Sequence, residues 1–187
     1  MPGSRKSELN HHLDLQLQTA TELLKKHPKL KIALFVDPSI SMEAMRARLV
    51  NLNIPVMLIQ DEPFEMIQLA DVVLCASGTA TLMVGLMKKP MVIMYRMNPF
   101  TAMMAKMFVR ATRFFGLINL VLDREAVKEY FQEQASVANL SAEISRLLDD
   151  KAAYQVTVNE LSQAHHNLGE KGATRRVAHA LQPYLEP

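Results

Sequence analysis

Five short apolar runs, each bracketed by helix-forming stretches, most constrain what this chain can fold into. Leu30–Val36, Pro55–Gln60, Val72–Ala76, Met91–Tyr95 and Leu117–Val121 are near-continuously hydrophobic rather than alternating. Strands read that way when both faces of a sheet are covered, as for parallel strands joined by crossover helices. The expected fold is α/β, a doubly wound parallel sheet.

The intervening segments carry helix signals. A helix over 7–27 would align Leu13, Leu17, Ala20 and Leu24. Ser41 is placed to cap a second over 42–52, and Pro63 suits the first position of a third that ends near Ala70. A fourth follows Ser77-Gly78-Thr79 and stops before Pro90, and a fifth spans 101–112. Further helices are expected from Ser141 to about 148, over 152–167 and over 173–181. The 187 residues then divide into a sheet domain over 1–140 and a helical extension over 141–187.

Hydrophobic residues at 49% and charged residues at 21% are ordinary globular usage, which argues against disorder. A formal charge of +2 is too small to point to nucleic acid. Cys75 is the sole cysteine, so no disulfide framework exists and a reducing compartment fits. The chain has no signal-peptide pattern and no uncharged run of membrane-spanning length.

Ligands of such sheets sit beyond the carboxyl ends of the strands. Two turns suit that place. Gly3, Ser4 and Arg5 form a glycine-containing turn before a helix, where a strand should come first; only Met1 and Pro2 precede it. Ser77, Gly78 and Thr79 follow the third apolar run and open another helix. Backbone N–H groups at such turns attract anions, although each turn also reads as a plain helix cap. Two anion sites on one edge could grip a diphosphate. Tyr95 and Arg96 end the next run, and Arg96 either completes that cradle or is an exposed loop residue. Asn119 and Gln132 are polar residues in apolar surroundings that suit either ligand contact or local capping.

On the 101–115 segment, Lys106, Arg110 and Arg113 share a helical face, while Phe100, Met103, Met107 and Phe114 supply apolar contacts. That pattern fits either a membrane-surface helix or a core helix with a solvated basic face. The histidine pairs His11-His12 and His165-His166 read as surface residues, and no ligand spacing for a metal is present. Walker, Gly-x-Gly-x-x-Gly and Gly-x-Ser-x-Gly motifs are absent too.

The segments Pro2-Gly3-Ser4-Arg5-Lys6-Ser7-Glu8, Ala76-Ser77-Gly78-Thr79-Ala80-Thr81-Leu82, Pro90 to Pro99, and Asn119-Leu120 through Arg124-Glu125, Glu129 and Gln132 occur in register. Together they resemble the lipid-A-disaccharide synthase family, glycosyltransferases of the two-Rossmann-domain, GT-B type. The resemblance implies the carboxyl-terminal, UDP-binding half, a Rossmann-like domain lacking its first strand. It implies transfer of 2,3-diacylglucosamine from its UDP ester to 2,3-diacylglucosamine 1-phosphate, with no metal and no cofactor, in the cytoplasm at the inner membrane surface. Gly3, Ser4, Arg5, Ser77, Gly78, Thr79, Tyr95, Arg96, Asn119, Glu125 and Gln132 become donor-site candidates. No catalytic residue is expected here, because the general base would lie in a separately supplied amino-terminal half; pairing with a second copy of the chain is a further expectation, since it could fill the gap left by the missing strand.

The sequence also departs from the family. Met83 stands where the family has Glu, expected to bind the ribose, and Ile118, Asp123 and Lys128 replace Pro, Gly and Pro. A thioether is a weak acceptor, and Asp123 would set a negative charge near a diphosphate, with Arg124 offsetting it. A non-catalytic binding or regulatory subunit built on this fold is the alternative. Another UDP-sugar enzyme of the same architecture is a third reading.

Overall fold

The structure is a computed structural model and describes residues 1–50, 54–98, 113–169 and 172–184, the side chain at 183 excepted. Helix α1 (Lys6–Lys26) leads to β1 (Ile32–Phe35), α2 (Met42–Leu49), β2 (Val56–Ile59), α3 (Pro63–Leu69), β3 (Val73–Ala76), α4 (Thr79–Leu86) and β4 (Met91–Tyr95). Then come α5 (Leu117–Leu122), β5 (Glu129–Phe131), α6 (Val137–Asp149), α7 (Lys151–Ser162), α8 (Ala164–Leu168) and α9 (Ala173–Leu181). The helix read over 101–112 lies outside the described residues.

All strand pairing is parallel. β1 pairs with β2 from Ile32 opposite Val56 to Phe35 opposite Ile59. β4 lies between β3 and β5, with Val73 opposite Met91 and Ile93 opposite Glu129. Among the described residues the two sheets share no ladder. On the free side of β3, the Met1 ammonium donates to Leu74 O at 2.9 Å, and Ala76 N–H donates to Met1 O at 2.9 Å. That is one rung of a parallel ladder, opposite Cys75. Gln16 holds it from α1, its amide donating to Met1 O at 3.3 Å. Among the described residues Met1 alone pairs with β3 on this side, and α1 carries the join between the sheets.

Period-two alternation sorts the strand residues into two layers. Val73, Cys75, Met91 and Ile93 pack with Ile67, Val84, Ile118, Leu122, Leu161 and Ala164. Val92 and Met94 face the other way, against Leu15 and Leu23 of α1 and Leu140, Ile144 and Leu147 of α6. Leu34 and Val36 pack on Leu9, Leu13 and Leu17 of α1 and Met45 of α2. Helix α1 therefore buries both flanks of its apolar stripe, one on each sheet. Truncating the fully buried Leu13 to Ala would cost about 2–5 kcal/mol. No helix among the described residues is long and apolar enough to cross a membrane.

Two expectations are corrected. Leu117–Val121, read as a fifth strand, is helix α5, and the fifth strand is Glu129–Phe131 instead. A short apolar run carries no period that separates strand from buried helix. The helical choice is made by caps: Glu129 accepts from Phe115 N–H and Gly116 N–H at 2.7 and 3.0 Å, and Thr81 Oγ1 accepts from Leu117 N–H at 3.1 Å. Likewise α6 starts at Val137, capped by Ser136, and Ser141 lies inside it. The expected boundary at residue 141 falls within this helix. α6, α7 and α8 all contribute core residues, while α9 buries none.

Candidate functional site

The carboxyl ends of β3, β4 and β5 and the single-residue rung at Met1 bring four loop segments to one edge: 2–5, 77–79, 95–97 and 131–132. The 77–79 turn is held from below. Ser77 N–H donates to Met94 O at 2.9 Å, continuing the ladder, and its hydroxyl donates to Phe115 O at 2.8 Å. The buried Thr81 hydroxyl donates to Gly78 O at 2.8 Å. Gly78 has φ 153° and ψ −165°, a region that only glycine occupies readily. A Cβ there would meet nothing within 4 Å, so the space above the turn is open. The N–H groups of Gly78, Thr79 and Ala80 have no acceptor among the described residues. Such donors at the N-terminal end of a helix are of the kind that attracts an anion.

The 2–5 turn is closed. Glu8 Oε2 accepts from Ser4 N–H at 2.9 Å and Arg5 N–H at 3.2 Å, and Glu8 Oε1 takes the Arg5 guanidinium at 3.0 Å. The carboxylate occupies the place an anion would take. Gly3, at φ 109°, lets it fold back: a Cβ there would lie 2.4 Å from Glu8 Oε2. The chain reaches its own anion hole first.

Next along the edge, between the 77–79 turn and the end of β5, lies the 95–97 segment. His12 is not the surface residue its sequence context suggests but is 1% exposed. Its Nδ1–H donates to Pro2 O at 3.0 Å, and its Nε2 accepts from Arg96 N–H at 3.1 Å. Burial holds its pKa below the usual histidine value, ahead of the opposing hydrogen bonds to Pro2 and Arg96. From the other side Gln132, at φ 50°, exchanges two bonds with Met97: Met97 N–H donates to its Oε1 at 3.3 Å and its Nε2 donates to Met97 O at 3.2 Å. The Arg96 guanidinium forms no ion pair or hydrogen bond with the described residues. Tyr95 stands in a column of rings, 5.9 Å from His12 and 6.0 Å from Phe131, which stacks at 4.6 Å on the 39%-exposed Phe115.

The structure therefore gathers Gly3, Ser4, Arg5, Ser77, Gly78, Thr79, Tyr95, Arg96 and Gln132 on one edge. Two candidates lie elsewhere. Asn119 is fully buried in α5; its amide donates to Val127 O and Glu129, and its oxygen accepts from the N–H groups of Ala126 and Val127. Helix α5 runs from the edge back toward the start of β5, carrying Asp123 and Glu125 to the opposite end. There Glu125 pairs with Lys128 at 2.6 Å. Arg124 pairs with Glu160 rather than offsetting Asp123 at a diphosphate. A groove of about 490 Å³ beside Glu125, lined also by Arg146 and Thr157, is at that same remote end. Met83, on α4, is partly buried and packs against the apolar core. Of the membrane-surface candidates, Phe100, Met103, Lys106, Met107 and Arg110 lie outside the described residues. Arg113 covers the buried Phe114 ring at 5.6 Å.

Sequence reasoning missed Glu8 as a cap, Thr81, His12 and Glu129. Arg5-x-x-Glu8 was a legible capping-box spacing; a buried histidine has no comparable local signature.

The family profile described as Lipid-A-disaccharide synthetase matches residues 1–182. The chain belongs to the lipid-A-disaccharide synthase family. It is 35% identical to the lipid-A-disaccharide synthase of Syntrophotalea carbinolica over 95% of its own length and 45% of that relative's. The corresponding figures for the Anaeromyxobacter dehalogenans protein are 35%, 95% and 46%. Lipid-A-disaccharide synthase 1 of Legionella pneumophila is 32% identical over 92% of this chain and 45% of its own. The chain thus spans less than half the length of these curated relatives, matching their carboxyl-terminal half. Among solved structures, TarM superposes with a TM-score of 0.60 at 14% identity, over 92% of this chain and 32% of that one, which shows a shared fold. The Rossmann-like α/β class of the GT-B type expected from the sequence therefore stands.

Proposed function

We propose that this lipid-A-disaccharide synthase relative forms the UDP-binding portion of an inverting hexosyltransferase. In that reaction 2,3-diacylglucosamine passes from its UDP ester to 2,3-diacylglucosamine 1-phosphate, and UDP leaves. The observation that carries the reading is the open 77–79 turn, whose N–H groups, like the Arg96 guanidinium on the same edge, have no partner among the described residues. A leaving diphosphate gains negative charge as the glycosidic bond breaks, and prearranged donors and a guanidinium stabilise it without reorganisation. The acceptor site and the general base belong to the amino-terminal half of the whole enzyme, which would face this edge at the inner membrane surface. An alternative reading, a non-catalytic subunit, draws support from Met83, a partly buried thioether packed against the core where the family's Glu would serve the ribose.

A thermal melt of the full chain, followed by far-UV circular dichroism with and without millimolar UDP, decides between them. Native-state binding raises the midpoint. A cooperative transition lifted by UDP supports the donor site. A transition indifferent to UDP sinks it and leaves the non-catalytic reading.

A further inference from the structure

We propose that His12 is a positioning residue, one that locks the 95–97 segment to the 2–5 turn and so sets where Arg96 presents its charge. Pro2 O can only accept, so Nδ1 carries a proton, while Nε2 faces the Arg96 N–H at 3.1 Å and, when the ring is neutral, accepts from it. This neutral tautomer satisfies both loops at once. The Arg96 carbonyl also lies 3.0 Å from Nε2. A second proton on the ring would favour that carbonyl and strip Arg96 N–H of its acceptor. The segment has two arrangements within reach, and one proton selects between them.

Gln132 grips Met97 from β5, and Ser77 ties its own turn to Phe115; among the described residues only the His12 imidazole spans the 2–5 turn and the end of β4. The groups around the ring are Glu8 and His11 on α1, Tyr95 and Arg96 at the end of β4, and the Met1 ammonium next to Pro2. The Glu8 carboxylate is engaged by Ser4 and Arg5 and does not hydrogen-bond the ring. The ring is thus set by backbone groups rather than by a charged partner.

The consequence for UDP rests on the donor-site reading above; the consequence for the Arg96 amide does not. Hydrogen exchange of the Arg96 amide, expressed as a protection factor, is measured on the full chain between about pH 7.5 and 5, where histidine titrates. UDP affinity is titrated in parallel. In the native sequence, protection falls about tenfold and UDP binding weakens about fivefold toward acid, the scale of one lost hydrogen bond. His12→Phe has weak Arg96 protection at every pH. His12→Gln, which keeps an acceptor and a donor, retains more protection than His12→Phe and shows no histidine-dependent slope.

Equal protection in the native chain and His12→Phe would overturn the link. Protection in the native chain that is flat with pH would overturn the selection by a proton, a result that needs no variant to fold. If the native chain fails to bind UDP at any pH, the donor-site reading falls and the exchange result alone judges the link. If Arg96 protection collapses in His12→Phe while UDP affinity equals that of the native chain, the link is structural and its positioning role is refuted.

Discussion

The two glycine turns on the carboxyl edge look alike in sequence and differ in what they leave open. Both place a Gly with positive φ beside a Ser ahead of a helix. At 77–79 the following residues are Ala80 and Thr81, and the amides of 78–80 have no acceptor among the described residues. At 2–5 the third helical residue is Glu8, and its carboxylate takes the Ser4 and Arg5 amides. A turn built for an anion can be filled by its own helix. The geometry of such a loop therefore says less about binding than the residue one turn further on.

The sharpest way to break the contrast is Gly78→Ala. A residue with a Cβ is strained at φ 153°, ψ −165°, and the cost is about 1–3 kcal/mol even though no atom is in the way. The turn should relieve the strain by rotating its amides, so stability falls and any UDP-induced rise in melting temperature disappears. An unchanged UDP shift in Gly78→Ala would mean that the open amides are not the diphosphate contact.

Glu8→Gln acts on the closed turn with a smaller effect, and its two readouts move in opposite directions. The cap is weakened, and loss of a helix cap costs about 0.5–2 kcal/mol. With the carboxylate's charge gone, the Ser4 and Arg5 amides become available to a phosphate, so UDP binding strengthens. Calorimetric titration beside a melt separates the two. If stability drops while affinity stays level, the 2–5 turn is a cap alone, and the donor site consists of the 77–79 turn and the Arg96 segment.

Much of this fold was legible because its signals are local. Four apolar runs are strands within two residues of their expected ends, and Ser41 and Pro63 open helices as their chemistry requires. What failed was settled by distant partners. Leu117–Val121 is helical because Thr81 and Glu129 supply acceptors from 36 and 13 residues away. The site divides in the same way. Turn residues announced themselves, whereas His12 became visible only once α1 was seen to lie beneath Arg96, 84 residues away in the chain. Asn119 is the converse, a polar residue in an apolar run whose amide the fold uses to fix the 126–127 backbone.

The smallest expected effect concerns pH, and it again separates the turns, because 2–5 is tied to Arg96 by a titratable ring while 77–79 is tied by hydroxyls. Burial lowers the His12 pKa from its ordinary 6.5. Between the lowered folded value and 6.5, the unfolded chain binds more protons than the native one, so stability rises with pH through that window. The contribution is complete above the unfolded pKa and is lost as pH falls through the folded value. Carboxylates titrate nearer pH 4, so melts between about pH 7.5 and 5 avoid them, and comparison with His12→Gln assigns the slope to this ring. The native chain should lose melting temperature toward acid, and His12→Gln should lose less. Parallel slopes for the two proteins would show that acid acts elsewhere, and the two turns would then differ only in what fills them.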